Sequence, residues 1–191
     1  IKKLSAKEGK PENAEEMIKA LDTQFKKYTA AESTKVLADL LEQVDGIWEE
    51  GLITPSRVLD FSVNLYGVNL TDRFPPVSNN FGVEAPGVSL EAFKELPKEL
   101  YTIYGMDDVI IIVRSEKQED DSSVILSNAG LFSAKETRAI KTDLYNGFEL
   151  RREIPAQGGK NPPYFGFFCK NEEEKTKIFE SIKAIVDKCI F

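Results

Sequence analysis

The stretch Tyr164–Cys189, YFGFFCKNEEEKTKIFESIKAIVDKC, decides the fold class. Its opening residues read as a strand. Alternation puts Tyr164, Gly166 and Phe168 on one face, and Phe165, Phe167 and Cys169 on the other. The remainder carries every signal of a helix. Asn171 is the N-cap, Glu172, Glu173 and Glu174 place negative charge at the positive end of the dipole, and Glu174 holds the reciprocal capping position. Ile178, Phe179, Ile182, Ile185, Val186 and Cys189 form one apolar stripe, and Lys183 and Lys188 suit its C-terminal end. A strand apolar on both faces needs two covers, and the helix that follows supplies one of them.

Upstream of a Pro155–Pro163 loop, Asn146-Gly147 is a hairpin signal of type I′, expected to join Ile140–Tyr145 to Phe148–Ile154. Ser133 with Glu136 resembles a capping box for a short helical segment. Leu100–Tyr104 and Val109–Arg114 are expected as strands around the turn Gly105–Asp108. Glu116–Ser122 reads as a charged hairpin tip, with Val124–Leu126 returning from it. Leu59, Phe61, Val63 and Leu65 alternate with polar neighbours, which favours a strand over a helix capped by Thr54-Pro55. Residues 71–87 form the clearest loop, with Phe74-Pro75-Pro76, Asn79-Asn80, Gly82, Pro86 and Gly87. Ser89 is expected to cap a short helix through Leu96, which Pro97 stops.

The first third is helical. Lys2, Lys3, Lys7 and Lys10 lie in a flexible tail, 1–10. A helix from Pro11 to Tyr28 carries the stripe Met17, Ile18, Leu21, Phe25 and Tyr28. Thr29-Ala30-Ala31 reads as a link to a second helix, Glu32–Glu50, with the stripe Val36, Leu37, Leu40, Leu41, Val44, Ile47 and Trp48, and with Gly51 as its cap. Two amphipathic helices with a short link make a helical hairpin over 11–52. The expected fold is therefore α+β: this hairpin, then over 53–191 a mainly antiparallel curved sheet of about five to seven strands covered by the amphipathic C-terminal helix. Hairpin and sheet together form one unit. Strands closed by a terminal helix are similar to pleckstrin-like and open-barrel architectures.

Composition excludes more function classes than it suggests. The net charge of −7, from 32 acidic against 25 basic residues, argues against nucleic acid as a partner. No apolar run approaches the length of a transmembrane segment; Val109–Val113 is the longest. The chain contains no histidine, which removes Ser-His-Asp and Cys-His mechanisms and histidine zinc sites. P-loop, G-x-G-x-x-G and G-x-S-x-G motifs are absent. Cys169 and Cys189 flank the last helix, roughly 25 Å apart at its rise per residue, so they are not expected to pair. That leans towards a reducing compartment. The chain opens at Ile1 without a methionine, which suits a trimmed chain or an organelle-lumen protein that has lost a targeting segment.

The remaining constellations each have a plain structural reading. Asp107-Asp108 could offer hard oxygens to a cation, but adjacent turn carboxylates diverge and turn chemistry accounts for them. Glu116, Glu119, Asp120 and Asp121 read as a solvated tip. Glu149 and Glu153 share a face, yet Arg151 and Arg152 between and beside them make a salt-bridge ladder the better reading than a glycosidase pair. Cys169 reads as a buried structural thiol.

Tyr104-Gly-Met-Asp-Asp-Val-Ile-Ile-Ile-Val-Arg114, with Val124-Ile-Leu126, resembles the Tyr-Leu-Asp-x-Asp-Leu-Arg-Ile-x-Arg signature of plastid lipid-associated fibrillins. Those are lipocalin-like carriers, and the resemblance implies an apolar ligand. Here the arginine is displaced by one position and a long α+β segment follows, so membership is not inferred.

These readings converge on a non-enzymatic, acidic, soluble binding or assembly protein, an adaptor or accessory subunit docking on a protein partner. No catalytic, metal or cofactor site is assigned. Its binding residues are expected to be Phe74 and Phe81 in the long loop, which can present apolar anchors at low entropic cost, and Tyr164 and Phe168 on the last strand. The alternative is a carrier of a small apolar ligand between sheet and helix, and the third reading is a histidine-independent enzyme using carboxylates. A filled core with an exposed apolar patch separates the adaptor from the carrier.

Overall fold

The computed structural model describes residues 14–46, 48, 52, 54, 57–72, 93–117, 124–143, 145–153 and 161–188. Its long helices there are α1 (Ala14–Gln43) and α2 (Glu172–Asp187), and Phe93 and Lys94 are helical as well. The strands are β1 (Val44–Asp45), β2 (Leu59–Asn69), β3 (Glu99–Met106), β4 (Val109–Lys117), β5 (Val124–Ser133), β6 (Thr137–Thr142), β7 (Gly147–Arg152) and β8 (Tyr164–Phe168). They form one eight-stranded sheet in the order β1-β5-β4-β3-β2-β8-β7-β6. All pairs are antiparallel except β1 with β5, where Val44 faces Leu126.

The sheet curls on itself. Phe132 of β5 and Phe165 of β8 stand four strands apart in the sheet order, yet their ring centroids are 6.0 Å apart. A flat sheet would separate them by roughly 19 Å at the usual strand spacing. The inner faces thus enclose one core containing Tyr101, Ile103, Ile110, Ile112, Phe148, Phe165 and Phe167. From α2, Ile178, Phe179, Ile182, Ile185 and Val186 close it. Asn171 caps α2 as expected, its Oδ1 accepting from the Glu174 backbone N–H at 2.8 Å; Glu174 returns the bond to the Lys170 N–H. Cys169 is a free, buried thiol, and Cys189 lies outside the described residues. None of the described helices is long and apolar enough to cross a membrane.

Several expectations are corrected. The helical hairpin is absent: α1 runs without a break from Ala14 to Gln43, straight through Thr29-Ala30-Ala31. Alanine is the best helix former, and the Thr29 hydroxyl donates to the Phe25 carbonyl at 2.9 Å, so nothing there breaks a helix. The second helical stretch also ends sooner than Glu50. Val44-Asp45 leave the helix to pair with β5, and Gly46, at φ 141°, ends that pairing; this adds a strand, giving eight where five to seven were expected.

The Asn146-Gly147 hairpin forms with a different turn. Thr142 pairs with Gly147, so residues 143–146 make the connection and Gly147 is already in β7. What Gly147 provides is room, because a Cβ there would collide with the Phe167 carbonyl oxygen. Finally, Ser133 makes no side-chain cap to the short 3-10 turn Ala134–Glu136; Glu136 instead pairs with Arg152 at 2.7 Å. The other strands stand where alternation placed them, several of them longer than expected.

Candidate functional site

The second half of α1 packs on the outer face of β3, β4 and β5. Leu37, Leu40 and Val44 are buried there against Met106, Val109, Ile111 and Val113. Side-chain bonds fix the docking. The Ser33 hydroxyl accepts from the Leu59 backbone N–H at 3.0 Å. Arg57 grips Asp108 through two bonds of 2.7 Å and also donates to the Leu52 carbonyl. Asp108's carboxyl is held below the usual carboxylate range by that guanidinium, while burial and the neighbouring Asp108 charge push Asp107 upward.

The first half of α1 stands clear of the sheet. Every position from 17 to 28 is exposed, and the five large apolar side chains Met17, Ile18, Leu21, Phe25 and Tyr28 are 63–69% exposed. They share one face. At 100° per residue that face lies roughly a third of a turn from the face that Leu37, Leu40 and Val44 turn to the sheet. The apolar stripe therefore changes sides midway along one rigid helix. On the sheet-facing side of this free half runs an open groove of about 920 Å³, lined by Thr23, Lys26, Lys27, Ala30, Ala31, Thr34 and Val58.

A second feature covers the outer face of β8 and β7. Gly166 leaves room for Phe93 and Tyr145: a Cβ on it would meet the Tyr145 hydroxyl at 2.8 Å and the Phe93 ring at 2.9 Å. Phe93 stacks on Tyr145 with centroids 4.2 Å apart, and both lie 5.2 Å from Phe168. Lys98 Nζ sits 4.5 Å above the Phe168 ring. Beneath them Glu149, buried, accepts hydrogen bonds from the Tyr164 and Tyr145 hydroxyls. Burial first, and then Glu149, raise both phenols above their usual range.

Tyr164 and Phe168 are thus brought together on one face, as alternation requires. Tyr164 is buried and Phe168 half-buried, packed with Phe93, Leu96, Val68 and Leu70. Phe74 and Phe81 lie outside the described residues. Phe93, Tyr145 and Lys98 were not singled out from the sequence; a glycine between two aromatic residues of one face was the available signal. The Glu149–Glu153 ladder takes another form. Glu149 serves the two tyrosines, while Glu153 lies 3.8 Å from Arg138. Asp107 and Asp108 form a turn, with Asp108 committed to Arg57. Burial, then the Glu174 charge, push the Cys169 thiol up to about 11, which opposes thiolate chemistry. Of the acidic tip, Glu116 pairs with Arg114 at 2.8 Å, and 118–123 lie outside the described residues.

No protein-family model matches this chain, and no curated protein matches it in sequence. Solved structures do match it. The DH/PH domains of p115-RhoGEF align over 91% of this chain with a TM-score of 0.54 and 8% identity. The PDZ-RhoGEF DH/PH domains, solved with GTP-gamma-S activated RhoA, align over 95% with a TM-score of 0.51 and 11% identity. What is shared is the fold. This chain spans 45% and 49% of the length of those two structures, so it corresponds to about half of each. The residues of the fibrillin-like signature lie in β3, β4, the turn between them and the start of β5.

Proposed function

We propose that this chain is a non-enzymatic protein-docking module in which α1 is the rod that carries a partner and the sheet is the body that anchors the rod. The observation that carries this reading is the free half of α1. An isolated helix of about 15 residues is marginal in water. One with five large apolar side chains on a face turned away from its own sheet gains its stability by burying them in another body. The flanks of that stripe are mixed: Ala20, Gln24, Thr29 and Ala31 are small or uncharged, while Asp22 borders Ile18 and Glu32 lies beside Tyr28.

The fold likeness suggests the setting. A protein partner, RhoA, is bound by a structure of this fold, and we read this chain as part of an assembly acting on a GTP-binding protein of that type. The carrier reading is less well supported, since the space between sheet and α2 is filled by Phe148, Phe165, Phe167, Phe179 and Ile182. Helix and sheet act as one unit in this proposal. Phe74 and Phe81 belong to a second contact set, on the connection whose end Phe93 pins over Tyr164 and Phe168.

The test compares wild type with Leu21→Asp/Phe25→Asp and with Phe74→Ala/Phe81→Ala. Leu21 and Phe25 are exposed, so the first variant should melt at the wild-type temperature. Each protein is then measured for capture of purified RhoA, nucleotide-free and GTP-gamma-S bound. Capture by wild type that the first variant loses supports the proposal. No capture of either form refutes the GTP-binding partner, and equal capture by wild type and Leu21→Asp/Phe25→Asp refutes the role of the stripe. Capture lost by Phe74→Ala/Phe81→Ala at an unchanged melting temperature supports the second contact set.

A further inference from the structure

The groove on the sheet-facing side of the free half of α1 is a different surface from the apolar stripe. Consecutive helical residues stand 100° apart, so Lys26 and Lys27 project on the two shoulders of the groove, and Thr23, Ala30 and Thr34 form the floor between them. Val58, from the strand-entry segment, also lines the groove. The floor is made of small side chains, so another backbone can approach α1 closely. Among the described residues, no carboxylate lines the groove. Lys26 has one partner, Asp22 at 2.9 Å, but both side chains are largely exposed and such a pair exchanges readily. Lys27 makes no ion pair among the described residues. In a chain of net charge −7, a groove with two lysines and, among the described residues, no acidic lining is a local reversal of sign.

We propose that this groove is a docking site for an acidic segment of a protein partner. Carboxylates of that segment lie between the Lys26 and Lys27 ammonium groups, and its backbone lies over Thr23, Ala30 and Thr34. Lysines on flexible stems suit carboxylates arriving at varied angles. A phosphate group would call instead for the forked geometry of arginine or for converging backbone N–H groups, and the described residues that line this groove offer neither. The site rests on the reading of α1 as a docking rod, yet it uses the opposite side of that rod from Leu21 and Phe25. The two surfaces can therefore fail separately.

The experiment uses fluorescein-labelled, alanine-rich helical peptides, one with glutamates along one face and a twin with lysines in their place. Binding is read by fluorescence anisotropy at increasing salt. Wild type should bind the glutamate peptide, more weakly as salt rises, and ignore the lysine twin. Lys26→Glu/Lys27→Glu should lose about tenfold or more in affinity for the glutamate peptide and gain the lysine twin, the signature of a charge pair rather than of lost structure. Thr23→Trp, which fills the floor from an exposed position, should weaken the glutamate peptide while leaving the helical circular dichroism unchanged. The site is overturned if wild type shows no salt-dependent binding, or if the charge swap leaves binding intact. Loss through Leu21→Asp/Phe25→Asp alone would overturn it too, as would sedimentation showing that a second copy of the chain fills the groove.

Discussion

At the scale of single residues, the side chains with the most to lose are polar. Glu149 is buried and its two oxygens are served by Tyr164 and Tyr145. Replacing Tyr164 with phenylalanine keeps the ring and removes one donor from a buried carboxylate. The expected loss is about 1–3 kcal/mol in urea unfolding. A loss near zero would mean that water replaces the hydroxyl. Arg57 and Asp108 make the second case. Asp108's carboxyl is depressed in the folded chain, so the pair stabilises above the ordinary carboxylate range, and that contribution disappears as pH falls through the depressed value. Asp108 is half exposed, which limits the pH-dependent part to under about 1 kcal/mol. Asp107 is shifted the opposite way and also feels the Arg57 charge, so Arg57→Ala reports the loss of the guanidinium from both carboxylates. Stability of the variant should fall less steeply than that of wild type between pH 5 and pH 2, values bracketing the carboxylate range. Parallel curves would assign the acid sensitivity elsewhere.

At the scale of elements, strands and the terminal helix were legible because each joins an alternating, β-branched or helical apolar pattern to a clear stop signal. Alternation in Leu59–Leu65 and Tyr164–Cys169, and the Asn171 cap, each point to a single structure. The continuous α1 was illegible for a specific reason. Its apolar stripe shifts by roughly a third of a turn near Thr29-Ala30-Ala31, and a phase break in a periodic signal looks the same as a break in the helix. Proline separates the two possibilities. Ala31→Pro would be tolerated in a link, but in a continuous helix it removes a hydrogen bond and clashes, at about 3 kcal/mol or more. The expected outcome is a clear drop in helical circular dichroism, as the free half unravels while the sheet persists. For α2 the expectation is conventional core behaviour: Phe179→Ala should cost about 3–5 kcal/mol in denaturant melts. A cost below about 1 kcal/mol would mean that α2 docks on something outside this chain. The aromatic cluster was half legible. Alternation put Tyr164 and Phe168 on one face, but Phe93 and Tyr145 reach them across long sequence separations that no local pattern encodes.

At the scale of the whole molecule, stability is unevenly distributed. The core under α2 and the sheet-docked half of α1 are packed from both sides, whereas residues 17–28 touch solvent all round. Backbone amides of 17–28 should therefore exchange with solvent far faster than those of 37–43, through local opening that leaves the core intact. Equal protection along α1 would show that the free half is already covered in solution. Addition of a partner that buries the stripe should close the gap, and this measures docking without any assay of activity.

The pairing of β1 with the edge of β5 has a mechanical side. Val44 and Asp45 splice the end of α1 into the sheet, Ser33 ties its middle to Leu59, and Arg57 braces the adjoining turn. Beyond Ser33 the helix overhangs as a cantilever of roughly 28 Å back to Ala14. A pivot of about ten degrees at the clamp would sweep its tip through roughly 5 Å, and the reverse also holds. A load applied at Leu21 or Phe25 is geared down into a small, stiff shear along the β5 edge. Whatever grips the overhang thereby has leverage on the sheet.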